Sequence, residues 1–355
     1  METEKFFDQH VQIFSEMGLM AKLIVQLVVW NSARDLPTLF DSLQNQTFKD
    51  WELLILDNGS VDNTLKIVEA EKAFFPNMKF FREKQNLGFS GGHNILFQKS
   101  ASEYVLLLNQ DVILENDIFE RLVNYLDENL QVASAAPRLM RIENNERTGI
   151  VDSLGLTIDR RRRFSDSKAG EPWNLQAESA FPGRPCFVFG VSASVAIYRR
   201  EAVQRATNGR LFDPYYFSYQ EDFDLAWQLQ LRGYDSAVLL DKVAYHRRST
   251  PDANRSILST ALNKQKQSSI TRYYSYRNHL ATLIKNDRWQ NFILDFPWIF
   301  WYEGMKFVYL LLFDRAVLKG LKDLWNERVW LRSERNRIQN GTNVNWKKLG
   351  QWMYM

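Results

Sequence analysis

The 355-residue chain is 45% hydrophobic and 25% charged, a composition that fits a folded globular protein and excludes a disordered or low-complexity one. Its one cysteine, Cys186, excludes an intramolecular disulfide, and with only four histidines it cannot build a structural zinc site of the usual spacing. The net charge of +3 joins two unlike parts: residues 1–240 carry −8 and residues 241–355 carry +11, an acidic front and a basic rear that suggest two jobs.

Residues 1–19 read as an N-terminal extension, with Glu2, Glu4, Asp8 and Glu16 where a signal peptide would be basic. Residues 22–29 (KLIVQLVV) are a short β-branched apolar run, the pattern of a buried strand. Asn31 to Asp35 break it, and Leu36–Gln46 has helical spacing. A second strand, 52–56, ends in the turn Asp57-Asn58-Gly59-Ser60, and a helix over 62–73 follows with Asp62 as its cap. A third strand covers 78–82. The glycine-rich stretch Asn86–Asn94 opens another helix, and the strand 104–108 runs into Asn109-Gln110-Asp111. Strand, turn and helix in repetition predict an α/β fold with a doubly wound parallel sheet, whose ligand site lies at the carboxyl ends of the strands. The polar turns fall at those ends.

Residues 141–180, including Arg160–Arg163, read as an irregular loop or hairpin region, and 186–198 return to strand character. An acidic cluster within 213–233 leads into a helix ending at Gly233, followed by a strand at 237–240 and then His246. Asp111 at a strand end suits a Mg²⁺ or Mn²⁺ that bridges to a pyrophosphate; the alternative is a turn capping the helix at 116–126. Glu221 and Asp222 open a helix, where they serve either as caps or as a general base for an acceptor hydroxyl. His246 gains a metal role only if its loop reaches Asp111. The glycines of 86–94 let backbone N–H groups approach a phosphate, with a plain glycine turn as the alternative.

Six stretches in order, VVWN (28–31), LDNGSVDNT (56–64), NLGFSGGHN (86–94), LLLNQDV (106–112), FDPYYFSYQEDFDLAWQLQLRGY (212–234) and VAYH (243–246), resemble the family 2 glycosyltransferases of the glycosyltransferase-A fold. The likeness is to bacterial rhamnosyltransferase-like and galactofuranosyltransferase-like members in particular. It implies a catalytic domain over 20–250, divided into a nucleotide-binding half (20–112) and an acceptor and catalytic half (113–250). It also implies a nucleotide-sugar site of Trp30, Asn31, Asp57, Asn86, Gly88, Gly91, Asn94, Asn109 and Gln110, a metal held by Asp111 and His246, and Asp222 as base with Glu221 as fallback. Asn109 replaces the first acid of the family's D-x-D motif, and Gln228 stands where relatives often carry Arg. The implied reaction is an inverting, metal-dependent transfer, with rhamnose from a dTDP donor the first choice and a UDP-hexose or an impaired sugar-nucleotide binder the alternatives.

The region 251–355 reads as helical, aromatic and basic. Residues 291–313 are apolar but interrupted by Asp295, Pro297, Glu303 and Lys306, which disfavours a membrane crossing and suits an interfacial helix. The expected partners are a nucleotide sugar, a glycan or lipid-linked glycan acceptor and a membrane surface met through 291–330. Nucleic acid is not expected. A helical hairpin or homodimer interface is the alternative use of the C-terminal helices, and the expected location is cytoplasmic, on the inner face of the cell membrane.

Overall fold

The structure is a computed structural model that describes residues 21–173, 185–247 and 268–354. The extension expected at 1–19, residues 174–180 of the irregular region and residues 251–267 lie outside the described residues.

Strands β1 (Leu23–Val29), β2 (Trp51–Asp57), β3 (Lys79–Arg82) and β4 (Tyr104–Leu108) pair in parallel in the order β4-β1-β2-β3. Their crossovers are α1 (Leu36–Gln44), α2 (Thr64–Glu71) and α3 (Gly88–Gln98), as the sequence pattern requires. Beyond β4 the sheet continues through β11 (Val195–Arg199), β6 (Val132–Glu143), β12 (Asp235–His246) and β10 (Cys186–Val188). Strand β11 runs antiparallel to both neighbours, while β12 is parallel to β6. Two antiparallel additions, β5 (Val112–Leu114) on β12 and β7 (Glu146–Ser153) on β6, complete the sheet.

Alternation along each strand fills two cores. In β4, Tyr104, Leu106 and Leu108 face α1 and α4 (Ile118–Glu128), whereas Val105 and Leu107 face α3 and α5 (Arg200–Thr207). Helix α6 (Glu221–Leu231) joins the second core through Leu225 and Leu229.

The structure revises three boundaries. The irregular region expected at 141–180 holds β7 and a separate hairpin of β8 (Leu156–Ile158) and β9 (Phe164–Asp166). The first half of β7 is exposed, while Val151–Ser153, Leu156, Ile158 and Arg162 are buried in satellite contacts outside the main core. The run 186–198 is split into β10 and β11 by a turn, and the strand expected at 237–240 extends over all of β12 because β6 and β5 both pair with it.

The C-terminal region is helical as expected: α7 (Ser269–Asn286), α8 (Trp289–Phe313), a 3₁₀ turn (Arg315–Leu318), α9 (Lys319–Asn326), α10 (Arg328–Asn340) and α11 (Trp346–Met353). Ile338 of α10 with Leu349 and Met353 of α11 packs on Phe223, Trp227 and Leu231 of α6. The helices therefore share a core with the sheet domain. Among the described residues no helix is long and apolar enough to cross a membrane.

Candidate active site

The ends of β1 and β2 form one edge of the site. Asn31 adopts φ +50°, a left-handed conformation that Asn tolerates better than most residues. Its N–H donates to Ser60 Oγ (2.9 Å) and its Oδ1 accepts from the Val61 N–H (2.9 Å), so it clasps the turn after β2. Asp57, buried at the end of β2, accepts from the Ser60 N–H at 3.1 Å. Trp30 beside them is 54% exposed, a ring open to a ligand. Asn58, which the sequence reading passed over, ties this turn to the next loop. Its Nδ2 donates to Asn86 Oδ1 and to the Gly88 carbonyl, both at 3.0 Å, and its Oδ1 accepts from the Leu87 N–H.

The glycine-rich stretch has a different character from a phosphate cradle. Gly88 sits at φ +77°, and a Cβ there would lie 2.1 Å from the Phe217 carbonyl oxygen. A Cβ on Gly92 would lie 2.7 Å from a Val28 methyl, whereas Gly91 is less crowded. These glycines let α3 approach β1 and the segment before α6. Two first-turn donors are already engaged: Gly88 N–H to Asn86 Oδ1 (2.7 Å) and Ser90 N–H to the Phe217 carbonyl (3.3 Å). Asn94 was expected to line the nucleotide. It is instead buried, with its amide committed to the backbone of Leu211 and Phe212.

Asn109, Gln110 and Asp111 leave β4 together, each half-buried. Asn109 is pinned by Ser194, its N–H to the Ser194 carbonyl (2.9 Å) and its Nδ2 to Ser194 Oγ (3.3 Å). The pairing of β12 with β5 brings His246 opposite Val112 and thereby to Asp111. His246 Nε2 lies 3.2 Å from Asp111 Oδ1, and Nδ1 lies 2.7 Å from Asp152 Oδ2 on β7. Burial disfavours the imidazolium, but hydrogen bonds and charge from Asp111 and Asp152 outweigh it and push the His246 pKa up to about 9.

This arrangement fits a divalent cation on one observation. Asp111 Oδ1 is buried and accepts no well-directed hydrogen bond, while the imidazole nitrogen facing it is held in place from behind by a carboxylate. Asp152 occupies Nδ1 and so orients the ring; no motif marks it in the chain, because only the β6–β7 pairing brings it there. Among the described residues no group of three or more His, Cys, Asp or Glu forms a complete metal cage. A two-residue shell leaves positions for phosphate oxygens, as Mg²⁺ and Mn²⁺ prefer.

Across the site, Glu221 and Asp222 begin α6. Glu221 is buried with Oε2 unpartnered, whereas Asp222 is half-buried and accepts from the Phe223 N–H (2.8 Å). Burial, then repulsion between neighbouring acids, raises both carboxyl groups: Glu221 to about 8 against Asp222, and Asp222 to about 7 against Asp166 of β9. The backbone N–H of Ala193 faces the Asp222 carboxylate, and the adjacent Ser194 holds Asn109. The turn between β10 and β11 therefore sets the Glu221–Asp222 pair against the strand end that carries Asn109 to Asp111.

Tyr219 and Gln220, just before the pair, both have φ above +70° without being glycine. Such backbone strain persists only when its surroundings hold it. Asn278 of α7, fully buried, donates to the carbonyls of Ser218 (2.9 Å) and Tyr219 (2.8 Å). The third acid of the cluster, Asp224, turns inward to Lys285 Nζ (2.9 Å), Asn286 Nδ2 (2.7 Å) and Gln228 Nε2 (2.9 Å). Gln228 in turn accepts from Arg337 of α10 at 2.8 Å, so it serves the fold and not a donor phosphate.

The sequence profile of the glycosyl transferase family 2 domain matches residues 25–206. A cholesterol galactosyltransferase of Borreliella burgdorferi is 32% identical over 103 residues, covering 29% of this chain and 28% of that one. The first matched curated relatives are spanned over less than half of their own length. Among solved structures, GalNAc-T7 with UDP, GalNAc and Mn²⁺ superposes with a TM-score of 0.57 at 15% identity, over 75% of this chain and 48% of that one. Staphylococcus aureus TarS 1–349 in complex with UDP reaches 0.50 at 16% identity, over 93% and 78%. At such identities the structures speak for the fold, glycosyltransferase-A, and the profile, matched over more than half of the 355 residues, for the family: the chain belongs to glycosyl transferase family 2.

Proposed function

We propose that the protein is an inverting glycosyltransferase that moves a sugar from a nucleoside-diphosphate donor to a hydroxyl of a glycan or lipid-linked glycan. The observation that carries this reading is that one turn, Ala193–Ser194, meets both the Glu221–Asp222 pair and Asn109 of the strand end that carries Asp111, with His246 beside Asp111. The nucleotide would lie over Asp57, Asn31 and Trp30, at the carboxyl ends of β1 and β2. A cation held by Asp111 and His246 would supply positive charge at the departing diphosphate. Asn109 and Gln110 line the same edge, with Asn109 a neutral neighbour of the charge.

Asp222 is the better placed base, because it is open to an acceptor while Glu221 is buried behind it. A raised pKa suits a base that must take a hydroxyl proton near neutrality. Rhamnose from dTDP-rhamnose remains the preferred donor, with UDP-hexoses as the second reading. The domain scheme of 20–112, 113–250 and 251–355 and a location on the inner face of the cell membrane, met through 291–330, belong to the same proposal. Its test is Asp222→Asn. We expect transfer to fall by roughly three orders of magnitude or more while nucleotide-sugar binding, read by thermal shift with Mn²⁺ or Mg²⁺, is kept. Wild-type turnover in this variant would overturn the assignment of the base.

A further inference from the structure

Helix α8 turns most of its large apolar side chains outward while its charged side chains are covered. Of the four side chains it buries, Asn291 and Asp295 are polar and Ile299 and Leu310 apolar, and the polar and charged groups on this side bond to the body. Asn291 donates to the Trp346 carbonyl (3.1 Å), Asp295 accepts from Arg160 Nε and Arg162 Nη1 (both 2.9 Å), and Glu303 lies 2.8 Å from His279 Nε2. The outward side chains are apolar: Trp289, Ile293, Phe300, Trp301, Leu312 and Phe313 are each more than 60% exposed. A surface helix in water does the opposite. The charges that interrupt this stretch in the sequence, Asp295, Glu303 and Lys306, all belong to the covered side, so they do not break the outer strip. An exposed apolar patch of this extent marks an interaction surface.

Charge narrows the occupant. Just past the helix, Arg315, Lys319, Lys322, Arg328 and Arg332 are exposed, against Glu327 as the one exposed acid in that stretch. Apolar and aromatic side chains flanked by lysine and arginine match an anionic bilayer surface better than a second, equally basic copy of this chain.

We propose that α8 docks in the plane of an anionic lipid surface by its outer face, and that the acceptor is therefore anchored in that surface; the second statement rests on the glycosyltransferase reading. The link to the site is physical. Arg160 and Arg162 fasten Asp295 to the turn before β9, and Phe164 at the start of β9 stacks on Phe223 at 4.6 Å, next to Asp222. The base is thus held at a set distance from the docking face, where a lipid-anchored hydroxyl can reach it by diffusing in the membrane plane.

The test is co-sedimentation of the full chain with vesicles of phosphatidylglycerol and phosphatidylcholine, or of phosphatidylcholine alone, beside the doubly substituted Phe300→Glu, Trp301→Glu chain. Donor hydrolysis and light scattering are read on both proteins. The wild type should pellet with the anionic vesicles and less so at high salt. The variant should lose at least about tenfold in binding, because two membrane-facing aromatics become charges. Both should hydrolyse nucleotide sugar equally. A wild type that stays in the supernatant, or pelleting that the variant does not change, overturns the docking. A dimer that the variant converts to monomers, without vesicle binding, assigns the face to a second copy. Pelleting as expected, with no hydrolysis of any nucleotide sugar by either protein, would leave docking standing and strike the glycosyltransferase reading instead.

Discussion

The acids at the start of α6 are tuned by where they lie. Glu221 and Asp222 are adjacent, both desolvated, and their neighbours Asp222 and Asp166 are acids, so both carboxyl groups are held well above their ordinary range. A base must be deprotonated to act, so turnover should rise with pH through about 7 to 8, where the pair loses its protons. Asp166→Asn removes one repulsive charge and should move that limb to lower pH. Stability should run the other way. Between about pH 4 and 8 the folded pair binds more protons than the unfolded chain, so its contribution to stability is present in acid and is lost as pH rises. Melting temperatures across this range, with a flatter slope in Glu221→Gln, would check the sign; a wild-type slope in that variant would exclude Glu221 as its source.

Asp152 is the clearest residue that the sequence could not yield. It is one of 42 acidic residues, without a motif, and only strand pairing sets it behind His246. Orienting carboxylates of this kind change metal affinity by about 10–100-fold. Asp152→Asn should therefore raise the Mn²⁺ concentration needed for half-maximal donor hydrolysis by that factor, with little change in the rate at saturating metal. An unchanged metal requirement would remove Asp152 from the site.

At the scale of elements, α7 is the support of α6. Lys285, fully buried, lies 2.6 Å from Asp213 and 2.9 Å from Asp224, and both acids hold its pKa well above the usual lysine value against the cost of burial. Removing one partner of such a group leaves buried charge uncompensated, at a cost of about 3–5 kcal/mol. Lys285→Met should lose stability on that scale in denaturant titration, more than a surface lysine substitution does. The strand-turn-helix units of residues 22–108 were legible because β-branched runs and polar turns alternate there. The 186–198 run was not. Its β-rich composition is equally compatible with one strand or two, and only the pairing of β10 with β12 and of β11 with β4 and β6 divides it.

For the whole molecule, the family profile ends at residue 206, yet Glu221, Asp222, His246 and Asn278 lie beyond it, while Asp152, Asp166 and the Ala193–Ser194 turn that contact them lie within it. The C-terminal helices read as an appendage in the sequence, because their charge and aromatic content differ from the front of the chain. In the structure they share a core with α6 and hold its strained entry turn. A chain cut after residue 247 should therefore lack transfer activity and melt far below the full protein, if it folds at all. A truncated chain that keeps wild-type turnover would make the C-terminal region dispensable.

The sequence by itself determined the strand ends at Asn31, Asp57 and Asp111, because short apolar strands ending in polar turns are a local pattern. It also marked Glu221, Asp222 and His246 as candidates, through an ordered likeness to one family. Tertiary structure decided that Glu221 is buried and Asp222 half-buried, that Asn94 and the glycines of α3 are taken up in packing and backbone contacts, and that Asp152 backs His246 and Asn278 the turn before α6. It also turned the charges of α8 inward and its aromatics outward. Those choices depend on contacts between residues far apart in the chain, on which the spacing of residue types along it carries no information.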